Sequence, residues 1–264
     1  MTLTDLIARA TAWNVGADPT SPAEARAAVL GRRFAIRYRP ILDTLSGETI
    51  GHQASARFAG TRGAELPASE VFAALHGQAP LLFHAEVEIK RLALAQAPVG
   101  GCLWVCVDPD SYAAAESPTG NALAELLSAP GVVVRAVENR AAANVRRAQA
   151  MLRGLAAHRI AVALEAESPV DGWASPAALE ADWVRVALAG GERLRTHPRL
   201  PQLERTLADA HCAGTRSLLS GVRDLGDLAL AADLGITAVA GPLFDRAAFT
   251  RWAAEPGERS ALAA

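Results

Sequence analysis

The stretch FAIRYRPILDTLSGETIGHQASARF, residues 34–58, decides the fold. Its first half, residues 34–42, is rich in β-formers, and its second, 49–58, can again run extended. Between them Asp43, Ser46 and Gly47 supply turn chemistry, because Asp and Ser bond the local backbone and Gly tolerates positive φ. The reading is two antiparallel strands, with His52, Gln53 and Ser55 near a sheet end and Arg57 just beyond. The remainder of the chain completes the sheet that begins here.

Downstream, short apolar runs alternate with helical ones. Strands are expected at residues 103–107, 132–137, 160–164, 183–188, 216–219 and 237–240. Helices are expected at 67–76, 81–96, 121–127, 141–157, 200–213, 225–234 and 244–253. Apolar strands alternating with helices imply parallel strands buried on both faces. With the opening pair there are about eight strands, which suits a closed α/β barrel of (β/α)8 type whose first strand pair is antiparallel. An open doubly wound sheet is the alternative, weakened because no Gly-rich phosphate fingerprint follows any strand. Upstream lie two short helical patterns, at 3–13 and 22–30. The second is opened by Ser21 as cap and Pro22 at its first position, with Glu24 three residues after the cap. The organisation expected is a helical extension over residues 1–30, a barrel over 31–254 and a tail over 255–264.

Composition removes several classes of function. A net charge of −2 supplies no excess of basic residues to neutralise phosphates, which argues against a binder of nucleic-acid polymers. Charged residues interrupt every apolar run before it could span a bilayer, and the N-terminus lacks a signal-peptide pattern. A soluble, cytoplasmic protein with no membrane insertion is the expectation. The three cysteines, Cys102, Cys106 and Cys212, form neither an even disulfide set nor a CxxC pair; Cys102 and Cys106 could share one face of a strand, and each of these two reads as a small buried hydrophobe.

Several landmarks fall in a recognisable order. Tyr38-Arg39-Pro40-Ile41 is similar to a YQPI segment and precedes a Ser-Gly-Glu turn, and LPASEVFAAL (66–75) has the pattern of a characteristic helix. Ser220-Gly221-Val222-Arg223, then Leu234-Gly235, then Ala240-Gly241-Pro242, has the spacing of a closing EGVE…LG…QG stretch. In spacing and apolar pattern residues 31–254 resemble an EAL domain, the fold that in active members hydrolyses cyclic di-GMP with two divalent metals. The resemblance fails at the residues that define the activity. It implies a vestigial site in which Gln53 stands for the name-giving glutamate, Cys106 for a metal-binding asparagine and Arg135 for a metal-binding glutamate. Ala163-Leu164 stands for the paired aspartates, Arg185 for the catalytic lysine, and Ser220 for a ligand glutamate. Arg223 stands for the glutamate three residues on, and Ala240 for a glutamine. Arg57, Glu138, Gly221 and Gly241 are retained.

Magnesium or manganese needs hard oxygen ligands, above all carboxylates, and these substitutions withdraw them. An arginine cannot take over proton transfer from lysine, because its guanidinium stays protonated. The expectation is therefore a chain with no metal, no cofactor and no catalytic residue: a pseudoenzyme that acts as a regulatory or interaction module. Its partner would be a protein, with a homodimer left open. A metal-independent receptor for cyclic di-GMP is the alternative, with Arg57, Arg135 and Arg185 as candidate ligand-binding residues; a residual phosphodiesterase is a third, disfavoured one. Glu165 and Glu167 could form a relocated acid pair, but ion pairing with Arg135 and Arg185 is the expected arrangement, with Glu138 a further candidate partner. His52 has no second ligand at metal spacing and reads as structural.

Overall fold

The computed structural model describes residues 20–61, 63–118, 120–137, 142–165, 181–188, 196 and 200–244. The expected helix at 3–13, most of that at 244–253, the loop with Pro169 and Pro176, the basic loop 193–199, Glu138 and Glu167 lie outside these residues.

The opening hairpin forms as its turn chemistry dictates. Strands β1 (Phe34–Asp43) and β2 (Thr49–Ala59) pair antiparallel, with Arg39 opposite Gln53 and Arg37 opposite Ser55. Asp43 Oδ1 accepts from the Leu45 and Ser46 amides at 3.1 and 2.8 Å, and Gly47 sits at φ +70°. A two-residue strand β3 (Glu65–Leu66) extends the far end of β2. The barrel then grows by parallel addition of β4 (Cys102–Val107), β7 (Val132–Ala136), β8 (Ala161–Glu165), β9 (Trp183–Ala187), β10 (Arg216–Ser220) and β11 (Ala238–Ala240). Between β4 and β7 a small hairpin, β5 (Glu116–Ser117) with β6 (Gly120–Asn121), stands apart from the sheet. β11 pairs antiparallel with β1, and β1 with β2, so eight strands close into one barrel with β1 as its only antiparallel member.

The helices in chain order are α1 (Pro22–Leu30), α2 (Ala68–Leu75), α3 (Ala79–Ala95), α4 (Pro109–Ala114), α5 (Ala122–Leu127), α6 (Ala142–Ala157), α7 (Leu200–Cys212) and α8 (Leu225–Asp233). Ser21 caps α1 by accepting from Glu24 N at 3.2 Å. Helix α1 lies against the outer layer, burying Ala25, Ala28 and Val29 with Phe58, Val71 and Leu75. Two further clusters sit between the sheet and the remaining helices.

The barrel interior is itself packed. Ile41, Trp104, Val133, Ala163, Trp183, Leu218, Ala238 and Ala240 fill it. The Trp104 and Trp183 rings meet edge to face at 5.3 Å, and the Arg216 guanidinium lies 4.3 Å from the Trp183 ring centroid. Nothing passes through this plug, so chemistry is confined to the rim above it, at the C-terminal strand ends.

Candidate binding site at the barrel mouth

Strand alternation selects which side chains face the mouth. On β4, Trp104 is inside the barrel, so Cys106 faces inward above it, and Cys106 stands in register with Arg135 of β7. On β9, Trp183 is inside, and Arg185 faces inward two residues on, in register with Glu165 of β8. On β1 the inward Ile41 places Arg39 and Arg37 on the same face. Among the described residues the inner face near the rim thus carries Arg37, Arg39, Arg135, Arg185 and Glu165.

Glu165 is where two of these charges meet. Its Oε1 accepts from Arg185 Nη1 at 2.5 Å and from Arg135 Nη1 at 3.4 Å. The three side chains are only 7, 13 and 20% exposed respectively, so each charge depends on the others rather than on water. Charge-assisted bonds to one oxygen hold both guanidiniums over the rim. Arg185 Nε is buried with no hydrogen-bond partner.

The other positions fall as follows. Gln53 lines the mouth side of a cavity of about 490 Å³ that opens between β2 and β4, and Cys106 and Arg135 line the same side. Ser220 is buried, and its hydroxyl donates to the Val186 carbonyl at 3.3 Å. Ala240 belongs to the interior plug, and Arg223 is exposed. Arg57 forms an ion pair with Glu65 of β3, a different carboxylate from the one that holds Arg135 and Arg185. Gly221 has φ +95°, and a Cβ there would lie 2.5 Å from the Leu188 carbonyl oxygen. Gly241 is held by close approach too, since its Cβ would lie 2.3 Å from Val222 N. The chain geometry requires both glycines whatever the chemistry.

Ala163 is buried in the plug with Trp104 and Trp183, and Leu164 packs outward beneath the helices. The rim residue of β8 is Glu165, so a carboxylate stands on that strand. The polar residues of α3 do not all face solvent. Glu86 and Lys90, the chain's one lysine, are both buried and pair with each other; burial pushes the Glu86 carboxyl up and Lys90 partly restrains it. His52 points away from the mouth into a cavity of about 250 Å³ near Leu94 and Ala97, where burial lowers its pKa.

One constellation escaped sequence reading. His76, at the end of α2, lies beside Asp108 and Asp110, at the start of α4, and His76 and Asp108 line the same cavity as Gln53. Its only sequence signal was Asp108-Pro109, an N-cap followed by proline at the first helical position.

The chain matches no protein-family model and no curated protein sequence. It does match solved structures. An EAL domain protein from Listeria monocytogenes EGD-e superposes with a TM-score of 0.68 at 14% identity, covering 86% of this chain and 94% of that one. The FimX EAL domain from Pseudomonas aeruginosa, bound to c-di-GMP, gives 0.63 at 18% identity over 84% and 93%. The Bacillus subtilis YkuI protein, with an EAL domain and solved with c-di-GMP and calcium, gives 0.63 at 15% over 84% and 56%. In the described residues no helix is long and apolar enough to cross a membrane. A closed eight-stranded barrel with one antiparallel strand, matched along most of its length by these structures, gives this chain the fold of EAL domain proteins.

Proposed function

We propose that this chain is a catalytically inactive EAL-like module that regulates by binding a protein partner. The observation that carries the reading is Glu165, held by both Arg135 and Arg185. Two divalent ions need several anionic oxygens in a shared shell. The described residues of the rim offer the Gln53 amide, the Cys106 thiol, a Ser220 hydroxyl already donating to Val186, and one carboxylate shared by two guanidiniums; Asp108, on the wall of the same cavity, has Oδ1 held by backbone amides and Oδ2 turned to His76. Arg135 and Arg185 cannot shed their charge, so they oppose a cation at the place where the resemblance would put one. Two-metal hydrolysis relies on the ions to activate water and clamp the phosphate, and among the described residues of the rim no side chain substitutes for them.

A second reading, a metal-independent receptor for cyclic di-GMP, is favoured by Arg185 Nε, which is buried with no partner. Guanidiniums suit phosphate oxygens, and the FimX domain of this fold binds c-di-GMP. Equilibrium titration of cyclic di-GMP in the presence of a chelator separates the two. The interaction module predicts no saturable binding at micromolar ligand. Saturable binding that Arg185→Ala abolishes, in a variant that stays folded, would replace it with the receptor.

A further inference from the structure

His76 and Asp108 share the 490 Å³ cavity with Gln53, Cys106 and Arg135, and the reading above leaves them and Asp110 unused. The geometry points to a divalent transition-metal site of the zinc or manganese class, joining the end of α2 to the start of α4 with open positions facing the cavity. An imidazole with two carboxylates is a donor set such ions accept. One ligand atom from each residue can be chosen so that all three lie within 4.8 Å of one another. His76 Nε2 is 3.2 Å from Asp108 Oδ2, and Nδ1 is 3.6 Å from Asp110 Oδ2. Bonds of about 2.0–2.2 Å place neighbouring donors of a tetrahedral ion roughly 3.3–3.6 Å apart; the two contacts use different ring nitrogens, so an ion on one nitrogen requires the carboxylate facing the other to swing round from within the 4.8 Å span of the cluster.

The surroundings are built for ligation as well. In both carboxylates Oδ2 faces the imidazole while Oδ1 is held by other donors. Asp108 Oδ1 accepts from the Asp110 and Ser111 amides at 2.8 and 3.4 Å. Asp110 Oδ1 accepts from Arg147 Nη1 at 2.5 Å. Asp108 is 5% exposed, while His76 and Asp110 are about one-third exposed, so an ion has an entry path. His76 and Asp108 both line the 490 Å³ cavity, which offers room for water or a small ligand in the remaining positions.

The test is titration of untagged, chelator-stripped full chain with Zn2+, followed by Co2+ for its visible spectrum. One ion per chain is expected. Asp110→Asn and His76→Gln should each weaken it at least ~10-fold and alter the cobalt spectrum, the scale seen when ligands or their supports are lost. Glu165→Gln, at the rim, should leave affinity unchanged, which separates this site from the rim. If His76→Gln does not fold, Asp110→Asn at a partly exposed position carries the test alone. Absence of saturable binding at millimolar ion, or equal binding in wild type and Asp110→Asn, overturns the proposal and leaves an imidazole paired with two carboxylates.

Discussion

Removing the Glu165 carboxylate should destabilise the fold, and the cost can be bounded. In Glu165→Ala two guanidiniums lose the oxygen they share, at 2.5 and 3.4 Å, and face each other across the rim. Breaking a buried pair by deleting one partner costs about 3–5 kcal/mol. Arg135 and Arg185 retain 20 and 13% exposure, so water recovers part of the loss. The expectation is therefore roughly 2–4 kcal/mol, at the low side of that range. For a chain of this size about 2–4 °C of melting temperature corresponds to each kcal/mol, so the midpoint should fall by roughly 4–16 °C. Thermal unfolding followed by circular dichroism reads this directly. Phosphate or sulfate at tens of millimolar should recover more of the midpoint in the variant than in wild type, because an anion re-pairs the arginines. A variant that melts within about 2 °C of wild type would show that Glu165 is not the counter-ion that holds the rim together.

Three further outcomes follow from the same physics. Lys90→Met leaves Glu86 buried without its partner and should cost about 3–5 kcal/mol, whereas Glu86→Leu/Lys90→Met should come within about 1–2 kcal/mol of wild type, read by urea denaturation. Burial holds the folded pKa of His52 below its unfolded value, so its neutral form is favoured in the fold; that contribution is complete above the unfolded pKa and is lost as pH falls through the folded one. Stability measured from pH 7 downward should therefore drop less steeply in His52→Gln than in wild type, and equal slopes would count against it. Gly221→Ala should cost at least about 1–3 kcal/mol from backbone strain alone, and an unchanged melting temperature would contradict the positive φ.

The barrel was legible because its physics is local. Short runs such as Val132–Ala136 and Trp183–Ala187, apolar but for one arginine each and rich in β-branched residues, read as strands buried on both faces. The short elements β3, β5, β6 and α4 were not legible, since two to six residues carry no period. At the site, Arg135, Arg185 and Glu165 were connected by charge alone: two guanidiniums near strand ends require an anion, and Glu138, Glu165 and Glu167 were the candidates, of which Glu165 is the one among the described residues. The phase of its strand was not readable. The run Ala161-Val162-Ala163-Leu164 is apolar on both faces, so nothing in it says which residue reaches the rim, and the register with β9 settles it on Glu165. His76 lies 32 residues from Asp108, a separation that only the packing of α2 beside α4 removes. The burial of Lys90 and Glu86 gave no signal in the sequence, because charged residues on a helix normally form its wet face.

The central claim is that the rim lacks the anionic oxygens to hold two catalytic ions. The most direct measurement is cyclic di-GMP hydrolysis by the purified chain with saturating Mg2+ and, separately, Mn2+, followed by chromatography of the products. The account predicts no linear dinucleotide above the no-protein control with either ion. Metal-dependent turnover that a Gln53→Ala substitution abolishes would contradict it.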